Sequence, residues 1–102
     1  MQTFGSSSER IEHGVGPVLA RGAACDAVLR ALGELNPNLV CVDRGAYVRV
    51  YVPLRCLLLR AVVERHSGQP FRLPGDLEII MPSFKGRLRV SEDEAVWEEA
   101  SP

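Results

Sequence analysis

Residues 39 to 52 read LVCVDRGAYVRVYV, and this stretch decides the fold. Two runs rich in β-branched and aromatic residues flank residues 43–46, where Gly45 can adopt a positive φ, so the stretch predicts a β-hairpin. In the second run valines alternate with larger residues, and the two sets are Val48, Val50 and Val52, and Tyr47, Arg49 and Tyr51. Because successive side chains of a strand point to opposite faces, we expect one face to be core and the other a Tyr-Arg-Tyr stripe.

The segment before the hairpin predicts a helix over residues 23–34. Its apolar residues recur at a spacing of three and four, and they are Ala24, Ala27, Val28, Ala31, Leu32 and Leu35. Asp26, Arg30 and Glu34 fall on the other side, and Asp26 and Arg30 form a favourable i,i+4 pair. Pro37 disfavours helical geometry at Asn36 and ends the helix. Upstream, residues 15–19 suggest a short strand, and Pro17 places it at a sheet edge because proline has no N–H for a ladder.

The second half of the chain mixes both element types. Residues 54–66 fit either one helical face or a short buried strand that leads into a helix from about 60 to 67, and periodicity does not decide between them. Residues 77–81 and 87–90 read as strands around a turn at 82–86, and residues 95–97 add a last short strand. The element order therefore predicts a single small α+β domain, with a mostly antiparallel sheet and two to three helices packed on it.

Composition narrows the class of protein. The chain has 102 residues, 46% hydrophobic and 25% charged, with a net charge of -1, so it offers no electrostatic attraction to nucleic acid or to an anionic membrane. It has no apolar run long enough to span a bilayer and no secretory signal, so we expect a soluble cytoplasmic protein. The Gly- and Ser-containing residues 1–13 are predicted to form a flexible N-terminal arm, residues 14–98 the folded domain and residues 99–102 a short acidic tail. Cys25, Cys41 and Cys56 are expected to be reduced core thiols.

Local signatures of catalysis are absent from the sequence. There is no Gly-x-Ser-x-Gly, no Cys-x-x-Cys, no Walker-type loop and no Rossmann glycine pattern. Neither His13 nor His66 has a Glu three residues before it, so the Glu-x-x-His element of carboxylate-bridged diiron sites is missing. The sequence therefore predicts no catalytic, cofactor-binding or metal-binding residue. Residues 44–50 match the RNA-recognition strand in part but lack its first and last aromatic residues, which leaves a small RNA- or protein-binding module as the alternative.

Five ordered segments carry a family resemblance: VGPV at 15–18, VDRGAYVRV at 42–50, GQPF at 68–71, LEI at 77–79 and SFKG at 83–86. Together they resemble the effector, or coupling, proteins of bacterial multicomponent soluble diiron monooxygenases, closest to the toluene 4-monooxygenase effector branch, over about residues 14 to 97. The resemblance implies a strand over residues 55–59 and a helix over residues 60–67. In one difference from the family pattern, Pro53 and Leu54 replace a more polar turn.

What the resemblance implies for function is a non-catalytic regulatory subunit. Such a protein carries no cofactor, since the diiron centre belongs to the partner hydroxylase, and it works with a ferredoxin and a reductase of the same system. It binds the hydroxylase near its active site and tunes oxygen activation, substrate access, regiospecificity and coupling during oxidation of aromatic or alkene hydrocarbons. Candidate contact residues combine a small-residue edge, the hairpin and its stripe, and a downstream turn: Gly14, Val15, Gly16, Pro17, Arg44, Tyr47, Arg49, Tyr51, Ser83, Phe84, Lys85 and Gly86.

Overall fold

The computed structural model describes residues 14–100, so the N-terminal arm predicted for residues 1–13 and the last two residues of the tail lie outside the described residues. Over this range the chain forms seven strands and three helices, which confirms the predicted α+β class. In chain order they are β1 (Gly16–Ala20), α1 (Ala23–Leu35), β2 (Val40–Asp43), β3 (Tyr47–Tyr51), β4 (Arg55–Leu59), α2 (Arg60–Ser67), α3 (Gly75–Ile80), β5 (Ser83–Lys85), β6 (Arg87–Val90) and β7 (Glu94–Glu98). No helix within residues 14–100 is both long and apolar enough to cross a bilayer.

The strands form two antiparallel sheets, with orders β2-β3-β1-β5 and β4-β7-β6. The predicted hairpin is confirmed as β2 and β3, which pair with Cys41 opposite Val50. Gly45 has the expected positive φ, 79°, and its N–H donates to Asp43 Oδ1 over 2.8 Å. The strand and helix that the resemblance implies for residues 55–67 are present as β4 and α2. Buried side chains from both sheets and all three helices form one core cluster.

Strand β1 is not at a sheet edge, and that expectation was wrong. It lies between β3 and β5. The ladder between β1 and β3 covers Val18 to Ala20, is interrupted at Gly16 and Pro17, and resumes at an isolated bridge between Val15 and Val52. The interruption explains how a proline can occupy an interior strand, because the missing N–H falls where β3 forms no bridge.

Helix α1 confirms the predicted amphipathic helix, but Cys25 rather than Ala24 lies on its buried face. The buried residues are Cys25, Ala27, Val28, Ala31 and Leu32. Ala24, predicted to be on the buried face, is exposed, because the buried stripe begins one residue later at Cys25. No ion pair joins Asp26 to Arg30. Glu34 instead pairs with Arg65 and His66 of α2, which links the two helices.

Residues 77–81 were predicted as a strand and form most of helix α3 and its C-cap instead. In a strand Leu77, Ile79 and Met81 would share one face. In the structure Leu77 and Met81 are buried at the i,i+4 spacing of a helix, whereas Ile79 is 80% exposed. The predicted turn at 82–86 is also shorter than expected, since Ser83–Lys85 pairs with β1 and only Gly86, with a φ of 106°, makes the bend.

Two of the three cysteines follow the prediction. Cys25 and Cys56 are buried, and burial raises the pKa of Cys56 to about 12. Cys41 is exposed, which contradicts the expected core position. It pairs with the buried Val50 and shares its side of the sheet, but β2 is the edge strand and its positions are exposed or half-buried.

Candidate functional site

The side of the four-stranded sheet opposite its core-facing residues presents a continuous surface, here called the outer face. Register places nine side chains on it: Val18, Ala20, Val40, Val42, Tyr47, Arg49, Tyr51, Ser83 and Lys85. One row crosses all four strands, because Val42 pairs with Arg49, Arg49 with Val18, and Val18 with Ser83. Arg49 therefore lies in the middle of the outer face.

Beside Arg49 the outer face contains an open pocket of about 340 Å³. Its lining residues are Gly16, Val18, Arg49, Val50, Tyr51, Phe84 and Lys85. Two are cations, two are aromatic and none is a carboxylate. The pocket can therefore accept an acidic group together with apolar surface.

Gly16 forms one wall of the pocket because it has no side chain. Its φ is 146°, and a Cβ added there would lie 2.6 Å from the carbonyl oxygen of Val50. Any other residue would both strain the backbone and push against β3. Gly16 is itself buried, so it shapes the pocket beside Tyr51 and Lys85 by the absence of a side chain rather than by exposed backbone.

The structure brings three of the sequence-predicted segments together. Five predicted contact residues line the pocket, and they are Gly16, Arg49, Tyr51, Phe84 and Lys85. Ser83 and Gly86 are exposed beside them, whereas Gly14, Val15 and Pro17 are buried. Arg44 lies apart in the hairpin turn, where its N–H donates to the carbonyl oxygen of Tyr47.

The predicted Tyr-Arg-Tyr stripe is exposed only in part. Tyr47 is 45% exposed and Arg49 is exposed, but Tyr51 is only 9% exposed. The chain at Gly14 lies against Tyr51, so closely that a Cβ on Gly14 would be 2.9 Å from the Tyr51 Cβ. This contact accounts for part of the burial, and it leaves the stripe with one exposed aromatic ring rather than two.

Phe84 is not a core aromatic, since it is 43% exposed at the pocket. Sequence reasoning missed the valines of the outer face, above all Val18 and the 39%-exposed Val40. Alternation within a strand could have assigned Val18 to this face only after β1 was known to pair with both β3 and β5. A larger cavity of about 470 Å³ lies between α1 and α2, lined in part by Asp26 and His66, and none of the predicted contact residues reaches it.

Within residues 14–100, no three His, Cys, Asp or Glu side chains come together in a group that could hold a metal ion. The charged groups that line the pocket are the guanidinium of Arg49 and the ammonium of Lys85. At the far end of the hairpin, Asp43 pairs with Arg21 at 2.8 Å, and this hydrogen-bonded cation lowers the pKa of the Asp43 carboxyl. The outer face thus combines valines with aromatic and polar side chains and is cationic at its pocket.

Comparisons with known proteins identify the class to which this fold and surface belong. Residues 13–98 match the model of the MmoB/DmpM family. The chain is 40% identical over 88 residues to the effector subunit of the alkene monooxygenase system of Xanthobacter autotrophicus (strain ATCC BAA-1158 / Py2), covering 84% of this chain and 86% of that protein. Its fold also matches a chain in the structure of the phenol hydroxylase–regulatory protein complex, with a TM-score of 0.76 and 20% identity over 84% of this chain and 98% of that chain.

These matches define an effector subunit of a multicomponent monooxygenase. The chain belongs to the MmoB/DmpM family, and the resemblance detected in its sequence is confirmed.

Proposed function

We propose that this effector subunit is not itself catalytic and acts by docking on the diiron hydroxylase of its monooxygenase system. It carries no cofactor of its own, because the diiron centre belongs to the hydroxylase, and it works in the cytoplasm beside a ferredoxin and a reductase that supply electrons. Docking tunes oxygen activation, substrate access, regiospecificity and the coupling of electron use to product. Since the 40%-identical relative serves an alkene monooxygenase system, an alkene is the substrate class to test first.

The observation that carries the proposal is the outer face with its pocket. Tyr and Arg are enriched at the energetic centres of interfaces, and here Tyr47 and Arg49 are exposed on one rigid sheet. Lys85 adds a second cation at the pocket, so the face is cationic on a chain whose net charge is only -1. The complementary surface of the hydroxylase is expected to combine carboxylates with an apolar group.

A protein without a reactive group can change an oxidation only through differential binding. A ligand with equal affinity for two states of the hydroxylase leaves the equilibrium between them unchanged. A ligand that binds the reactive state more tightly increases the population of that state. The outer face suits this role because its backbone is fixed by ladders on both sides of β1 and β3. A rigid face can fit one arrangement of the hydroxylase surface and not another.

The test is a titration of this protein into its hydroxylase, ferredoxin and reductase, with alkene oxidation and reductant consumption both measured. We expect the rate and the product formed per electron to rise and to saturate near one effector per active site. Arg49→Ala should raise the effector concentration for half-saturation about tenfold, the effect of losing about 1.4 kcal/mol of binding. The matched control is Arg30→Ala, which removes an exposed arginine from α1.

No response of either quantity to the wild-type protein would refute the effector role for that hydroxylase. A response that Arg49→Ala and Arg30→Ala weaken equally would keep the effector role but reject the outer face as the docking surface.

A further inference from the structure

One of the turns that connect the two sheets has an unusual backbone. Pro53 and Leu54 join β3 to β4, and Leu54 has a φ of 69°. The N–H of Arg55 donates to the carbonyl oxygen of Pro53 over 2.7 Å, which closes a γ-turn around Leu54. The positive-φ form of this turn is rare and strained, and a residue with a bulky side chain adopts it far less readily than Gly, Asn or Asp.

Burial does not explain why a leucine occupies this turn, because its side chain is 69% exposed. The turn is also held firmly, since the N–H of Glu99 donates to the Leu54 carbonyl oxygen over 3.1 Å and β4 begins at the next residue, paired with Glu98. The fold thus holds a large apolar side chain in solvent on a strained and fixed backbone. Strain of this kind is typical of functional contacts rather than of packing.

Charged residues lie next to this turn in the chain and across the sheet. Arg55 lies 3.8 Å from Glu98, and Glu98 also pairs with Arg89 at 2.9 Å. Glu99, whose N–H holds the turn, adds another carboxylate. An exposed apolar side chain beside charged residues suits an interface anchor, in which the partner buries the apolar centre and the charged neighbours stay solvated.

The turn also adjoins the proposed docking surface. Glu99 lines a third cavity, of about 510 Å³, with Val15, Lys85, Gly86 and Ala100. Lys85 lines the pocket of the outer face as well. A partner that covers this pocket and extends past Lys85 and Glu99 therefore reaches the Pro53–Leu54 turn.

We propose that Leu54 is an apolar anchor that enters a recess of the hydroxylase at the margin of the outer face. The proposal rests on the proposed function, because it takes the hydroxylase as the partner. Leucine supplies apolar area for such a recess, and the strained turn presents it without further ordering of the chain.

Three variants of the full chain test the anchor by calorimetric titration into the hydroxylase. Leu54→Asn keeps a residue that tolerates positive φ and removes the apolar side chain. Leu54→Met keeps an unbranched apolar side chain. Ile79→Gln is the matched control, because Ile79 is even more exposed, at 80%, but lies on ordinary helical backbone.

We expect Leu54→Asn to bind about tenfold to a hundredfold more weakly than wild type while its own thermal midpoint is unchanged or higher. Leu54→Met and Ile79→Gln should bind as wild type does. This combination separates an anchor from a structural residue, since loss of a structural residue would lower the thermal midpoint together with the affinity.

Unchanged affinity of Leu54→Asn, in a titration where wild type binds, would overturn the anchor alone and leave the effector role in place. Equal weakening by Ile79→Gln would mean that affinity follows exposed apolar area in general, and would also overturn it. Sedimentation of the free proteins is a further check. If the wild type forms a dimer that the Leu54→Asn substitution dissociates, the partner of Leu54 is a second copy of this chain rather than the hydroxylase, and the proposal is overturned. Failure of wild type itself to bind would instead reject the proposed function.

Discussion

The side chain of Asn36 completes the outer edge of strand β4 by pairing with Leu57. Asn36 Nδ2 donates to the Leu57 carbonyl oxygen over 2.8 Å, and the Leu57 N–H donates to Asn36 Oδ1 over 2.9 Å. Since β4 is the edge strand of the three-stranded sheet, this amide takes the place of a neighbouring strand. Nδ2 also donates to the Leu32 carbonyl oxygen over 2.9 Å, so the same buried side chain ends helix α1 and joins it to the sheet.

Replacing Asn36 with alanine should destabilise the protein by about 2 kcal/mol, because it leaves the partly buried N–H and carbonyl groups of Leu57 without these partners. Urea unfolding followed by circular dichroism measures the change. The control is Asn38→Ala, which removes the same side chain from an exposed position two residues away and should cost less than about 0.5 kcal/mol. Similar losses for the two variants would show that the contact with Leu57 contributes little.

Asn36 also shows where prediction from sequence stops. Its neighbour Pro37 marks the end of the helix, but no local pattern indicates a partner 21 residues away in β4. Helix α1 and the β2–β3 hairpin could be predicted because each is specified by its own periodicity and by Gly45. For residues 77–81 the local pattern is ambiguous, since Leu77 and Met81 fit one face of either a strand or a helix, and tertiary burial decides.

The sequence predicts which segments contribute to the candidate site, but it does not predict the surface that these segments form together. Alternation in β3 identified Arg49 and Tyr47 as exposed, and the family resemblance supplied the segments at 15–18 and 83–86. The burial of Tyr51 by Gly14 and the exposure of Cys41 depend on which segment lies beside which strand. That information is in the sheet order, which a single sequence does not contain.

Gly16→Ala should destabilise the protein by about 3 kcal/mol, because a Cβ there meets the Val50 carbonyl oxygen at 2.6 Å and the φ of 146° is strained for alanine. Gly45→Ala is the matched control, since Gly45 also has a positive φ, 79°, but nothing lies within 4 Å of its added Cβ. The control should cost only about 1 kcal/mol. Chemical denaturation midpoints of both variants separate the steric contact from the backbone strain, and equal losses would contradict the close approach of β1 to β3.

Glu34 should make stability depend on acid pH. Its hydrogen bonds to Arg65 and then to His66 hold the pKa of the Glu34 carboxyl below its usual value. A carboxyl with a depressed folded-state pKa stabilises the protein above the unfolded-state pKa, about 4.3, and this contribution is lost as the pH falls through the folded-state pKa. Wild type should therefore have a higher thermal midpoint than Glu34→Gln at neutral pH, and this gap should close in acid.

Thermal melts from neutral pH down to about pH 2.5 measure this gap, and added salt should narrow it at neutral pH because the groups are exposed. Glu78→Gln serves as the control, since Glu78 is an exposed carboxylate of a helix with no ion-pair partner among residues 14 to 100. A gap for Glu34→Gln that persists unchanged in acid would show that the charge of Glu34 is not responsible.

The three cysteines should differ in their reaction with iodoacetamide. Desolvation raises the pKa of all three thiols, that of Cys56 to about 12, but only Cys41 occupies an exposed position. Because the thiolate is the reactive form and the reagent must reach it, Cys41 should be labelled in the native protein, whereas Cys25 and Cys56 should react only after unfolding. Peptide mapping by mass spectrometry counts the modified sites with and without denaturant. Native labelling that survives the Cys41→Ser substitution would mean that one of the buried thiols becomes accessible through local opening of the fold.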